Sequence, residues 1–389
     1  MTHFFFRSGT IQSFKSYFIK DLKLHIVSFD VPYPPNYGGV IDIFYKIKAL
    51  HKIGVKIYLH TFKYGRNEQA ELLKYCEHVY YYKRQKGLKY AISKKPYIVN
   101  TRYSEELINN LLTDNFPILF EGLHTTFYLD YKELKNRNKI VRTHNVEHDY
   151  YKSLSEIEKK KYKQLYYEEE SRKLKKYESI LFHANHILAI SANDFNYFKN
   201  KYNNVYYIPA FHPNNSINVK TGRGKYILFH GNLSVGENIH AVKDLILNVF
   251  SKIEYPVIIA GRNPDKSILN LLKKYPEIQL LANPDDHKMT ELIRDSHINI
   301  LTTDQNTGIK LKLIASLFCG RFNIVNDNMI KNTGLENLCI IKNTHIEVID
   351  AIKHYWDLDF LKQDIDKREN ILSENFSNLR GANLIAEIL

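Results

Sequence analysis

The stretch YILFHG, Tyr226 to Gly231, running into NLSVGEN, Asn232 to Asn238, decides the reading of this chain. A short apolar run stops at a glycine and polar residues just before a helical pattern, which leaves backbone N–H groups free at a helix start, where a phosphate can sit. A looser counterpart stands near the N-terminus. There LHIVSF, Leu24 to Phe29, leads through Pro34, Pro35, Gly38 and Gly39 into the apolar-periodic segment Val40 to Ile53. Two strand-loop-helix starts in two halves of one chain imply a ligand held between two domains.

Working outward, strand-like runs alternate with helical patterns on both sides. In the first half they are KIYLHTF (Lys56 to Phe62), HVYYY (His78 to Tyr82), PILF (Pro117 to Phe120), KIVRTH (Lys139 to His144), HILAI (His186 to Ile190) and VYYI (Val205 to Ile208). In the second they are PVIIAG (Pro256 to Gly261), IQLLA (Ile278 to Ala282), INILTT (Ile298 to Thr303), FNIVN (Phe322 to Asn326) and LCIIK (Leu338 to Lys342). Such alternation predicts α/β architecture with two parallel, Rossmann-like sheets covered by helices. The Pro-, Asn- and Gly-rich stretch Pro209 to Gly224 has no period and holds the connection between the halves. The expected organisation is therefore an N-terminal extension (1–21), a first domain (22–212), a linker (213–224), a second domain (225–360) and C-terminal helices (361–389). The Lys/Glu/Tyr-rich stretch from Tyr150 to Ala184 reads as one or two helices with a solvated charged face. Asp285 or Asp286 is placed to cap a helix running to Ser296.

At 389 residues the chain exceeds a single core, and two domains of roughly 150–200 residues are the default. The net charge of +13 fits an anionic partner such as a nucleotide or an acidic membrane. It fits equally the Lys-, Asn-, Ile-, Tyr- and Phe-rich usage of an AT-rich genome, and no nucleic-acid partner is expected. Cys76, Cys319 and Cys339 have no metal-ligand or disulfide-framework spacing, which points to a reducing cytoplasmic compartment. No apolar run approaches a membrane span, and the first twenty residues lack the apolar core of a signal peptide. Those residues mix Phe4, Phe5, Phe6, Phe14, Tyr17 and Phe18 with Arg7, Lys15 and Lys20. They suit a peripheral anchor on the inner face of a membrane, or an extension packed on the first domain.

Six motifs carry a resemblance: PYPPNYGG (Pro32 to Gly39), RTHNVEHDYY (Arg142 to Tyr151), LAIS (Leu188 to Ser191), FHGNLSVGEN (Phe229 to Asn238), IIAGRNP (Ile258 to Pro264) and TGIKLKLIASLFCGRFNIVN (Thr307 to Asn326). In this order over most of the chain, they resemble glycosyltransferases of the GT-B fold, nearest the retaining family 4, bacterial sugar transferases of glycan assembly. The resemblance implies a central cleft between the sheets and a C-terminal helix crossing back to the first domain. It implies transfer of a hexose from a nucleoside diphosphate sugar to a saccharide or lipid-linked acceptor, with retention. The nucleotide sugar is a substrate, and neither a cofactor nor a metal is expected.

By the same resemblance, Lys312, Lys310 and Arg262 meet the departing diphosphate, with Gly308 opening the helix that carries the lysines. Gly38, Gly39, Gly231, Asn232 and Asn238 line the donor side, where many relatives have an arginine and a lysine in place of the asparagines. His124, after PILFEGL, corresponds to a histidine that family members present to the donor sugar. Arg142, His144, Asn145, Glu147 and His148 form a polar cluster suited to acceptor or sugar hydroxyls. His144 and His148 also have metal-ligand spacing, but no third ligand is near. Many relatives place a ribose-binding glutamate where this chain has Ala315. That departure keeps two other readings open: a nucleotide-sugar 2-epimerase on the same fold, and a catalytically silent GT-B subunit. Asp357-Leu358-Asp359 looks like the DxD metal motif of the other main glycosyltransferase fold, but a helix-end role suits its place better.

Overall fold

The computed structural model describes residues 21–304 and 310–389. The N-terminal segment proposed as an anchor and the segment holding Gly308 lie outside the described residues.

The first sheet has seven parallel strands: β1 (Lys23–Ser28), β2 (Lys56–Lys63), β3 (His78–Lys83), β4 (Ile118–Glu121), β5 (Lys139–Thr143), β6 (His186–Ala189) and β7 (Val205–Tyr207). Their spatial order is β3-β2-β1-β4-β5-β6-β7. The second has six: β8 (Ile227–Asn232), β9 (Val257–Arg262), β10 (Ile278–Ala282), β11 (Ile298–Leu301), β12 (Phe322–Val325) and β13 (Ile340–Ile341), ordered β10-β9-β8-β11-β12-β13. Both are doubly wound, and the central strands are buried on both faces, as for Leu24, Ile26 and Val27 in β1. Parallel strands covered on two sides read as continuous apolar runs, which is why the sequence places them.

In each sheet the strand order reverses at one point, between β1 and β4 and between β8 and β11. Ligands of open α/β sheets collect outside the strand carboxyl ends at such a point. The loops following β1 and β4 carry the glycine motif and His124, Asn232 ends β8, and the two lysines stand at the start of the helix that follows β11.

Two helices fill the stretch after β5, Glu147–Ile157 and Lys161–Tyr177. Their charges are not all solvated: Leu174 and Glu170 are buried, and Glu170 accepts from the Tyr97 backbone N–H at 2.6 Å. The connection between domains is pinned to the second one, with Gly222 N donating to Phe360 O at 2.8 Å and Asn218 N to Phe318 O at 2.8 Å. The aspartates of the DxD look-alike sit where the helix His345–Trp356 ends and pair with Arg223. Asp285 caps the helix Asp286–Asp295, accepting from Lys288 N at 2.7 Å.

The last helix, Asn378–Ala386, returns to the first domain. Ala382 and Ile385 join the core under the helix Gly38–Lys52, and Asn138 Nδ2 donates to Ile388 O at 2.7 Å. Burying one such isoleucine contributes about 1.5–3 kcal/mol, enough to hold a short terminal helix across two domains.

Candidate active site

On the second domain, Gly231 and Asn232 close strand β8 instead of lying in the loop, and the helix begins at Gly236 (Gly236–Asn248). Asn232 Oδ1 accepts from Ser234 N (3.1 Å) and Ser234 Oγ (2.8 Å), which folds the turn. Asn238 Nδ2 donates back to Asn232 O at 2.9 Å, and Asn238 Oδ1 accepts from Lys312 Nζ at 2.8 Å. Gly261 is required here: a Cβ on it would lie 1.9 Å from Gly231 O, so only glycine lets β8 and β9 end side by side.

The lysine-bearing helix runs Leu311–Cys319, with Lys310 just before it and Lys312 in its first turn. Lys310 Nζ lies 3.4 Å from Glu237 Oε1, whose carboxylate also accepts from Thr303 Oγ1. Glu237 is the residue that sequence reasoning missed. It stands in the first turn of the helix Gly236–Asn248, where a carboxylate already meets the positive helix end. Burial pushes the Lys312 ammonium down to about 8, Glu237 raising it and Lys310 lowering it. A phosphate arriving beside it would favour the charged form and raise that value. His230, hydrogen-bonded to Ser316 Oγ at 2.8 Å, is held neutral by burial and by Lys312, its pKa falling to about 3. Ala315 is half-buried on the same helix and supplies no polar atom.

Arg262, at the end of β9, is bound to Asp286 Oδ1 at 2.6 Å and reaches Asn36 O of the first domain at 3.3 Å. A second bridge, Asn332 Nδ2 to Asn193 Oδ1 at 2.7 Å, also crosses between domains. Beside it lies a small cavity whose lining includes Ser191, Tyr207, Lys310 and Asn328.

On the first domain, Gly38 has open space around its Cα, whereas a Cβ on Gly39 would lie 2.5 Å from Phe29 Cζ. Gly39 therefore makes room for Phe29, whose ring packs against His124 (centroids 5.0 Å) and His144 (5.4 Å). His124 Nδ1 lies 3.8 Å from Glu147 Oε1, and both buried atoms lack a hydrogen-bond partner. Burial, with the charges of Arg102, His144 and Arg84, holds His124 neutral. Burial and the nearby Asp194 push the Glu147 carboxyl up to about 8, against a hydrogen bond from Asn145. The pair thus keeps two unpartnered, buried polar atoms beside the strand ends.

Three members of the expected acceptor cluster look elsewhere. Arg142 is fully buried, and four of its five N–H donors are taken: Nε by Asp42 Oδ2 (2.9 Å), Nη1 by Ile208 O (2.8 Å), and Nη2 by Asp42 Oδ1 (2.7 Å) and Pro209 O (3.0 Å). With no exposed surface, the guanidinium cannot meet an acceptor, and its bonds serve to hold Asp42 and the chain at Ile208 and Pro209. His144 Nε2 lies 3.0 Å from Glu121 Oε2, and His148 Nδ1 lies 3.3 Å from Glu178 Oε2. The two histidines thus serve different carboxylates and share no ligand position. Asp42, Glu121 and His144 do converge within 4.8 Å, but Lys46 bonds both carboxylates and Arg142 bonds Asp42. Two positive and two negative charges make this a compensated ion cluster.

No family model matches the chain. An uncharacterized 44.6 kDa protein in the cps region of Klebsiella pneumoniae is 26% identical over 379 residues, covering 92% of this chain and 97% of that protein. The sucrose-phosphate synthase of Thermosynechococcus elongatus superposes with a TM-score of 0.66 at 12% identity, covering 95% of this chain and 98% of its own. The trehalose-6-phosphate protein of E. coli bound with UDP-2-fluoro glucose gives 0.59 at 11% identity, over 94% and 98%. The fold is GT-B. Within it, Arg262 at the end of β9 meets Asn36 of the loop after β1 across the cleft.

Proposed function

We propose that this protein is a metal-independent retaining hexosyltransferase, moving a sugar from a nucleoside diphosphate sugar to a saccharide or lipid-linked acceptor in the cytoplasm, in surface polysaccharide or glycoconjugate assembly. The observation that carries it is the half-buried pair Lys310 and Lys312 at a helix start in the second domain, with His124 and Glu147 3.8 Å apart beyond the strand ends of the first. Lys312, Lys310 and Arg262 would take the charge that develops on the diphosphate, where fixed cations in a water-poor cleft act most strongly. His124 and Glu147 would hold sugar hydroxyls, Asn145 supporting Glu147. The cps-region relative and the UDP-2-fluoro glucose bound by one structural neighbour support the setting and the donor class.

Thermal melts with UDP, GDP, ADP, CMP and dTDP test the donor site, since a ligand at about 100 times its Kd adds roughly 2.7 kcal/mol. The matching sugar nucleotides then go into transfer assays. A preference for one nucleotide together with acceptor-dependent turnover supports the reading, and turnover without acceptor identifies an epimerase instead.

One observation favours a silent subunit. Glu237 already neutralises Lys310, and Asn232, Asn238 and Ala315 bring no charge. No shift with any nucleotide up to millimolar concentration would select that reading.

A further inference from the structure

The outer part of a helical hairpin in the first domain, beyond Tyr150, carries none of the site residues described above. The helices Glu147–Ile157 and Lys161–Tyr177 form a hairpin with an exposed turn, and the short helix Leu88–Ile92 lies along its flank. These parts are fixed to one another: Glu170 accepts from Tyr97 N, and Lys173 Nζ donates to Glu170 Oε1 at 3.1 Å and to Ala91 O at 2.5 Å. On this rigid frame, large apolar side chains face solvent: Leu88 and Ile92 at 74% exposure each, Tyr162 at 67%, Leu165 at 65% and Ile157 at 59%. Tyr162, Leu165 and the partly exposed Tyr166 repeat at i, i+3 and i+4, which makes a stripe on one helical face.

Lysines surround the stripe. Residues 83–95 hold six basic side chains, of which Arg84 is buried, and no acidic one, and the hairpin turn carries Lys159, Lys160, Lys161 and Lys163 against Glu156 and Glu158. Scattered apolar residues on a surface need no explanation, but a cluster rimmed by lysine has the composition of a helix that lies in a bilayer interface. Tyrosine suits that boundary with a polar tip on an apolar ring, and lysine keeps its charge in water while its stem covers apolar surface.

We propose that this face docks on an anionic lipid bilayer, with Leu88, Ile92, Ile157, Tyr162 and Leu165 entering the headgroup boundary and the lysines meeting anionic headgroups. The helix Glu147–Ile157 rises about 15 Å between its ends. Docking therefore sets the Glu147 end of the cleft one short helix from the bilayer, where a lipid-linked acceptor would present its sugar. That last consequence rests on the transferase reading, whereas the docking itself does not.

The test is sedimentation of the full chain with vesicles of phosphatidylcholine, with and without phosphatidylglycerol, at low and raised salt. Pelleting with the anionic vesicles is expected, weakening with salt. The combined variant Lys159→Glu, Lys160→Glu, Lys161→Glu should bind at least about tenfold more weakly. Ile157→Ser, Tyr162→Ser, Leu165→Ser together should lose a similar factor, and both variants should melt with the wild type because the positions are exposed. Wild-type protein that ignores anionic vesicles overturns the proposal, as do variants that bind unchanged. Loss of binding on deleting residues 1–20, with the hairpin variants intact in binding, moves the contact to the N-terminus and also overturns it. A dimer in solution that Leu165→Ser converts to a monomer, without vesicle binding, assigns the face to a second copy. Vesicle binding is read without nucleotide or turnover, so failure of the transferase reading leaves this result standing.

Discussion

Arg262 of the second domain donates from Nη1 to the carbonyl oxygen of Asn36 in the first, 3.3 Å away, tying the glycine-bearing loop after β1 to the end of β9 across the cleft. The same guanidinium is held at 2.6 Å by Asp286, which is largely exposed. Under the transferase reading, a donor phosphate at Arg262 would compete with both.

Arg262→Ala should therefore weaken nucleotide binding about tenfold, the loss of one charge-assisted contact. Asp286→Asn should do the opposite, because it frees the guanidinium without removing it. Titration calorimetry with the preferred nucleotide reads both. Equal affinity in all three proteins would show that Arg262 serves only to join the loops.

Lys312 gives the donor site a pH dependence. Burial lowers its pKa to about 8, and a bound diphosphate favours the charged form and raises it. Nucleotide affinity should thus be greatest below about pH 8 and fall as pH rises through that value, with proton uptake on binding in the falling range. Lys312→Met should bind weakly throughout and lose this slope, and calorimetry in buffers of different ionisation enthalpy measures the proton directly.

The Arg142–Asp42 pair is fully buried, and Asp42 also accepts from Lys46 and from the Phe211 backbone N–H at 2.8 Å. Arg142→Ala would leave Asp42 short of half its countercharge and free the carbonyls of Ile208 and Pro209. A loss of about 3–5 kcal/mol in urea unfolding is expected. Arg142→Lys should recover only part, since an ammonium cannot bond Asp42 in the bidentate manner of a guanidinium.

Much of the fold was legible because each parallel strand is buried on both faces and reads as an apolar run. The runs quoted from Leu24 to Lys342 fall on β1 to β13, and Asp285 is the cap its type suggests. The site was less legible. Arg142 precedes three polar residues, so its place reads as a loop cluster, yet it lies within β5 and its partner Asp42 is one hundred positions away. A signal was present: Asp42 and Lys46 interrupt the apolar face of the helix Gly38–Lys52 one turn apart, and charges on a core-facing stripe need buried partners. Likewise, Glu237 pairs with Lys310 only because β8 and β11 are neighbours, a fact of topology that no local pattern contains.

Glu147 makes a prediction about stability. Its carboxyl is buried, and burial together with Asp194 raises its pKa from an ordinary 4.5 to about 8 in the folded protein. Between these values the unfolded chain has released the proton and the folded one keeps it. The unfolded state then binds fewer protons, so stability falls as pH rises, fully present below about pH 4.5 and lost through about pH 8. Glu147→Gln keeps a neutral side chain of the same shape at every pH. Its melting temperature should match the wild type near pH 5 and exceed it near pH 8, flattening the slope across that window. Glu147→Ala would lose packing at both pH values and so separates volume from charge. Melts of the three proteins between pH 5 and pH 9 decide the matter: a wild-type slope that Glu147→Gln leaves unchanged would mean that Glu147 is ionised in the folded state. It would then face the sugar as an anion, a different acceptor chemistry from the neutral acid beside His124.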